Sequence, residues 1–407
     1  MTPTSQSGIS FSRGSKSEGT PGANPAFLAV SGLLIVALVV AAYALHAANE
    51  QKLALSVVFG AIFGVVLQRA RFCFLCNFRD WYDARDPRGL YAILIAMAAG
   101  LAGYTLVFGA WVPDPAGGRL PPDAFIGPVG IALVVAGLAF GAGMAISGSC
   151  ISAHLYRLGE GSPTAPFALI GAVAGFILGF LTWNPIYLGF VLTAPVVWLP
   201  RWLGYSGALL LGLAVLLAIA LLLRRTGKPV PVSTTQDIWR KILVERWPAW
   251  AGGLAIGALG TAAYLRVAPL GVTAEISGRS RDLASGLGWL PGRLEGLDSL
   301  RGCVSLLRSA ALSPNGAFVI ALVIAAFAAA LTAGQFKPSA PKPGQIGRGL
   351  AGGVLLGWGA MTGLGCTIGT LFSGIMAGAL SGWVFGAAVF AGIAATLSLG
   401  RRAGLAI

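Results

Sequence analysis

A chain of 407 residues that is 56% hydrophobic and only 10% charged cannot hide so much apolar surface inside a water-soluble domain. Several stretches near twenty residues carry no charge, enough to span about 30 Å of hydrocarbon, so the composition indicates a polytopic membrane protein. The net charge of +14 does not indicate nucleic acid, because the basic residues gather in loops between apolar runs, where membrane insertion places them.

Taken in chain order, residues 1–25 are rich in Ser, Gly and Pro and lack an apolar h-region, which predicts a disordered tail and not a signal peptide. Residues 26–46 read as a span, within an additional N-terminal helix segment over 26–52. Further spans are predicted at 90–110, 125–147, 166–190, 205–223, 249–265, 316–333 and 374–399, with shorter apolar pieces at 53–68 and 349–366. Residues 224–246 hold six basic residues against two acidic, and 334–348 hold three basic and none acidic, so both are assigned to the cytoplasm. Alternation from there gives a cytoplasmic amino terminus, a cytoplasmic loop around "RFCFLCNFRDWYDARDPR", and an outer loop over 111–124 with Asp114, Arg119 and Asp123. Arg401 and Arg402 also fall inside. The expected organisation is a first transport repeat over 53–223, a basic cytoplasmic linker over 224–248 and a second repeat over 249–400.

The repeat is visible in the residues. Sliding the chain by 216 positions lays "GLAFGAGMAISGSC" (137–150) on "GVLLGWGAMTGLGC" (353–366), matching Gly137, Gly141, Gly143 and Cys150 to Gly353, Gly357, Gly359 and Cys366. A weaker match pairs "GAIFGVVLQRARF" from Gly60 with "GALGTAAYLRVAP" from Gly257, aligning Arg69 with Arg266. An odd number of crossings separates the two starts, so the halves enter the bilayer from opposite faces. Such inverted repeats build transport sites near the midplane. Most of the 59 glycines serve close helix packing. Packing does not explain "SGSC" and "GLGC", where glycine abuts a thiol at the end of an apolar segment. A chain that unwinds there exposes backbone groups that only a cavity tolerates, and a half-helix starting there aims its positive N-terminal pole at the occupant. An anion fits that pole.

Five cysteines, Cys73, Cys76, Cys150, Cys303 and Cys366, are an odd set with little extramembrane mass around them, which argues against a disulfide scaffold. His46 and His154 do not complete a metal site, and neither a metal nor another cofactor is expected.

The motifs "QRARFCF" (68–74), "GAGMAISGSCISAHLYRLGEGS" (141–162) and "GWGAMTGLGCTIGTLFSG" (357–374) together resemble the YeeE/YedE family of bacterial inner-membrane sulfur transporters, over roughly residues 53–400. The resemblance implies an all-α, hourglass-like protein with internal pseudo-twofold symmetry and short loop-linked half-helices. It also implies uptake of thiosulfate along cysteines, for which the matching positions are Cys73, Cys150 and Cys366, and a small cytoplasmic sulfur-carrier protein as partner. In the fourth equivalent motif, "APLGVTAEIS" (268–277), Leu270 stands where Cys73 aligns. Some members of this broad family are linked with selenium, which keeps a selenium compound open as cargo.

Thiosulfate is a dianion, oxygen-rich at one end and polarisable at the other, and its desolvation must be offset by dipoles. The candidate donors are backbone N–H groups from Gly148 to Ile151 and from Gly365 to Thr367, with the hydroxyls of Ser147, Ser149, Ser152 and Thr367. Neutral thiols are weak donors suited to the terminal sulfur and loose enough to release it. Arg69, Arg71 and Arg79 are candidates for drawing an anion to the mouth, and Glu160 and His154 for coupling, although positive-inside residues and helix caps account for them equally well. The competing class is a membrane thiol oxidoreductase that cycles Cys73 and Cys76 of the CxxC. Its weakness is the lack of a second cysteine pair and a CxxC on the reducing face. No GxxxxGK[ST] is present, so ATP hydrolysis by a P-loop is excluded.

Overall fold

The computed structural model describes residues 25–227, 247–300, 302 and 312–404. Among these the protein is helical and has no named strand, only isolated bridges such as Trp198 with Ala379. Eight helical stretches are long and apolar enough to cross a membrane, or nine if the bent pair over Pro343–Met376 counts as one crossing. The chain is therefore an all-α polytopic membrane protein.

Helix α1 (Pro25–Ala47) lies at the periphery, with Leu33 and Tyr43 about seven-tenths exposed, as lipid-facing residues should be. Its Ser31 hydroxyl donates to the Ala328 carbonyl at 3.0 Å. Then follow α2 (Gln51–Ala70), α3 (Phe74–Ala84), α4 (Arg88–Trp111), α5 (Ile131–Ser147), α6 (Ile151–Gly159), α7 (Ala165–Ile186, prolonged by a π turn over Tyr187–Val191) and α8 (Leu199–Thr226). The second set is α9 (Ala249–Arg266), α10 (Ala274–Gly286), α11 (Pro314–Thr332), α12 (Pro343–Thr362), α13 (Thr367–Met376, π-type over its first seven residues) and α14 (Leu380–Arg402).

Packing between the two sets is reciprocal. Helix α2 packs along α11 while α4 packs along α9, and α5 packs on α14 while α7 packs on α12. Helices α2 and α9 also touch, as do α5 and α12. The Trp247 N–H donates to the Arg69 carbonyl at 3.2 Å, so α9 starts where α2 ends and the two run in opposite directions. Along α5 and α12, Ser147 faces Gly352 while Ala136 faces Gly359, again antiparallel.

Glycine makes these approaches possible. A Cβ on Gly357 would overlap the Ala172 carbonyl of α7, and one on Gly141 the Val389 carbonyl of α14. Without a hydrophobic force between helices in lipid, such backbone contact is the main source of attraction.

One end of the bundle gathers the basic loops. The hydrogen bonds of Trp81 with Thr226, Lys337 with Glu160, Tyr82 with Ser398 and the Arg401–Asp83 pair bring α3, α6, α8, α11 and α14 together there. At the α3–α4 corner Arg88 donates to both Asp86 carboxylate oxygens, which holds that carboxyl below its ordinary range. The opposite end carries both signs, including Lys52, Asp114, Arg119 and Glu275.

Several expected spans shift. The pieces at 53–68 and 349–366 belong to full-length helices of 20 residues each, α2 and α12. The stretch 374–399 is not one helix, because Gly378 turns left-handed at φ 70° between α13 and α14. The span at 125–147 begins only after Pro128 and Gly130. The tail and most of the 224–248 linker lie outside the described residues.

The glycine contacts give a stability test. Gly357→Ala is expected to destabilise the detergent-purified protein by about 1–3 kcal/mol through overpacking, and Gly347→Ala, on the same helix with open space at its Cβ position, is not. Thermal unfolding of the two variants beside the parent checks this.

Candidate functional site

Three helix interruptions carry the thiols. Helix α2 ends at Arg71, whose φ of 48° is left-handed, and Cys73 caps α3 with its Sγ accepting the Cys76 N–H at 3.4 Å. Helix α5 ends at Gly148, φ 88°, and the extended Cys150 caps α6. Helix α12 ends at Gly363, Leu364 turns left-handed at φ 58°, and the extended Cys366 caps α13, which is bent 44° from α12. The 216-residue offset maps Gly148 onto Leu364 as well as Cys150 onto Cys366. The turn is thus shared where the residue type is not, although a left-handed leucine costs about 1–2 kcal/mol.

Packing brings these caps together. Cys73 and Cys150 are fully buried, Cys366 is 1% exposed, and all three belong to one contiguous core. The Cys73 and Cys150 side chains are close enough to interact electrostatically, and so are Cys366 and Cys150. Phe72 and Phe372 meet edge to face at 6.3 Å, joining the α2–α3 turn to α13. None of the four described cysteines is in a disulfide. Cys76 sits beside Cys73 and is half-buried. Cys303 lies outside the described residues.

The polar atoms around the thiols divide into paired and unpaired. Ser152 Oγ is 3.2 Å from Cys150 Sγ. Ser147 Oγ is 2.8 Å from the Gly143 carbonyl, 3.1 Å from the Ser149 carbonyl and 3.1 Å from His154 Nε2. The N–H groups of Gly148 and Gly365 donate to Met144 and Ala360 at 2.9 and 2.8 Å. These two residues therefore shape the turns, and their N–H groups are not open to a ligand as the sequence had suggested. By contrast Ser149 Oγ, Thr367 Oγ1, Thr362 Oγ1 and His154 Nδ1 are buried without a hydrogen-bond partner. Each such group costs about 1–3 kcal/mol unless something polar meets it. Two of them flank Cys150 and Cys366 in the chain. The first N–H groups of α6 and α13 add the partial positive charge of helix starts.

The remaining candidates are dispersed. Arg69 is buried, and its Nη2 donates to Thr332 Oγ1 at 2.6 Å at the joint of α2 and α11, not at an open mouth. Arg71 reaches Gln335 at 3.3 Å and Glu160 at 3.9 Å. Glu160 caps the far end of α6, ten residues or roughly 15 Å along the helix from Cys150. Its ion pair is with Arg71 and not Arg157, the partner that spacing favours. His154 is interior, one turn from Cys150.

Two residues were missed from the sequence. Arg157 lies on the face of α6 that carries Cys150 and His154, which the i, i+4, i+7 spacing discloses. Thr273, fully buried, occupies the N-cap position of α10 as Cys73 does that of α3, but in helical conformation and without a side-chain cap bond. Capping preference carries that signal.

Two cavities lie toward the end opposite the basic loops. A small one of about 20 Å³ touches the α12 turn at Thr362, Gly363 and Thr370. A larger one of about 230 Å³ is bounded by Lys52, Leu270, Glu275 and Asn315.

Residues 69–395, which contain every one of these interruptions, match the family described as sulphur transport. The chain belongs to that family. It is 28% identical over 344 residues to the thiosulfate transporter TsuA of Spirochaeta thermophila, covering 80% of this chain and 92% of the relative. It is 26% identical over 360 residues to the thiosulfate transporter TsuA of Escherichia coli, covering 80% and 87%. Membership of the sulphur transport family places the chain among transporters and removes the thiol oxidoreductase reading of Cys73 and Cys76.

Burial orders the thiol reactivities of this sulphur transport protein. In a Cys303→Ser background, N-ethylmaleimide is expected to modify half-buried Cys76 first, with Cys73, Cys150 and Cys366 lagging by about tenfold or more. Peptide mass spectrometry over a time course checks the order.

Proposed function

We propose that the protein imports thiosulfate, or a closely related inorganic sulfur anion, across the bacterial inner membrane by handing it along the thiols of Cys366, Cys150 and Cys73. The observation that carries this reading is the pair of unpartnered buried hydroxyls, Ser149 and Thr367, beside two buried thiols at the starts of two helices. Oxygens of a sulfonate end accept from hydroxyl and N–H donors, and a neutral S–H is a weak donor to the terminal sulfur. Weak donors in series hold the ion without trapping it. The thiols act protonated, since a thiolate would repel a dianion.

Reciprocal packing and antiparallel pairing of α2 with α9 and of α5 with α12 support the reading of two oppositely inserted repeats. Such repeats place their shared site between the halves. The excess of arginine and lysine at the α3–α6–α14 end supports its assignment to the cytoplasm, which also puts the start of α1 inside. Entry is then by the cavities near Thr362 and Lys52, and release is beside Cys73. A small cytoplasmic sulfur carrier is the partner the family resemblance implies at the basic loops.

Uptake of ³⁵S-labelled thiosulfate into proteoliposomes tests the thiols. Cys150→Ser and Cys366→Ser are expected to lose about 90% or more of the initial rate, while Cys303→Ser keeps it. Equal uptake by all three would refute handover through sulfhydryls. Faster uptake of selenosulfate than thiosulfate would shift the cargo to selenium.

A further inference from the structure

Arg157 has no assigned part in transport, yet its environment is unusual. Its Nη2 donates to Cys76 Sγ at 3.2 Å, and its Nη1 reaches the Gly148 carbonyl at 3.4 Å. The side chain is half-buried, within the membrane-spanning stretch Ile131–Gly159. Among the described residues no carboxylate pairs with it; the nearby Glu160 pairs with Arg71 instead. A guanidinium is always charged, and one withdrawn from water normally sits against a carboxylate or phosphate. Here its partners are a thiol, a carbonyl at the outer limit of hydrogen-bond length and the adjacent Tyr156 side chain, and none of them carries a formal charge.

The location gives this cation a use. Gly148 is the turn before Cys150, and Cys76 is the neighbour of Cys73, so Arg157 bridges the two thiol-bearing turns toward the basic end of the bundle. We infer that Arg157 is the anion-holding residue at the inner end of the path, taking the oxygen face of the substrate while Cys73 or Cys150 holds the sulfur face. The inference rests on the thiol-path reading above and deepens it. Before substrate arrives, Cys76 occupies one N–H of the guanidinium as a placeholder. A thiol is a poor acceptor, so an arriving sulfonate displaces it readily, and the planar fork then offers two parallel N–H groups to two oxygens. No covalent step is involved.

This division of labour accounts for selectivity. Sulfate and sulfite present the oxygens that Arg157 reads but lack the terminal sulfur that the thiols read, so they should compete at Arg157 without being carried. It also gives Cys76 a role that does not depend on redox cycling.

The test measures thiosulfate KM for uptake in proteoliposomes, with equilibrium binding to the purified protein by calorimetry. Arg157→Gln is expected to raise KM and Kd by roughly tenfold or more and to abolish competition by sulfite, with Arg157→Lys recovering part of the affinity. Because Arg157 also braces the Gly148 turn, Cys76→Asp is the decisive variant. It keeps the guanidinium and strengthens the brace but supplies an internal carboxylate, so KM should rise by roughly tenfold relative to Cys76→Asn. A purely structural Arg157 predicts no such rise. Equal KM for Cys76→Asp and Cys76→Asn, with Cys150→Ser inactive, overturns the assignment of Arg157 and leaves the thiol path standing. Wild-type uptake by Cys150→Ser overturns the path itself.

Discussion

A polypeptide inside hydrocarbon has no water to satisfy its backbone, and this constraint governs the molecule. Continuous helices meet it internally. A helix that stops midway leaves N–H and C=O groups that something else must meet, and this chain stops helices at Arg71, Gly148 and Leu364 and starts new ones at Cys73, Cys150 and Cys366. Most of the freed groups are recovered by short turns, as when Gly148 bonds to Met144 and Gly365 to Ala360. The starts of α6 and α13 keep their positive poles, and Ser149 and Thr367 keep unpaired hydroxyls.

The surrounding packing exists to hold those interruptions still. Glycines at 141, 357 and 359 let α5, α7, α12 and α14 approach backbone to backbone, which leaves little room for the broken ends to drift. The exchange of partners between the two helix sets brings the ends of α5 and α12 toward one interior. What is fixed there is a set of buried thiols with unpaired hydroxyls beside them, and a guanidinium toward the basic end. On the reading proposed above each donor is weak, as suits an ion that must leave as easily as it enters.

Much of this was legible in the residues. The 216-residue echo located Cys150 and Cys366 together with their glycine context, and both proved to be helix N-caps after left-handed turns. The echo could not announce that Leu364 would adopt the turn Gly148 adopts, because a leucine carries no local preference for it. The α9–α10 connection is longer than the α2–α3 turn, so the offset that lays Leu270 on Cys73 does not bring the starts of α10 and α3 into register. The fold delivers Arg71 from another helix to Glu160 and turns Arg157 toward Cys76. Side chains that reach across helices are set by tertiary packing, which a local pattern does not encode. Gly148 and Gly365 were read as backbone donors, and the structure spends both N–H groups on closing the preceding helix.

The central claim is that the thiols of the two halves and their neighbouring hydroxyls form one route for a sulfur dianion. Anomalous diffraction from crystals soaked in selenosulfate tests it most directly, because selenium replaces the terminal sulfur and reports its own position. Selenium density among Cys73, Cys150 and Cys366, with the oxygen end toward Ser149 or Thr367, is expected. Selenium found only in the cavity beside Lys52 or on the surface, with none among the thiols, would contradict it.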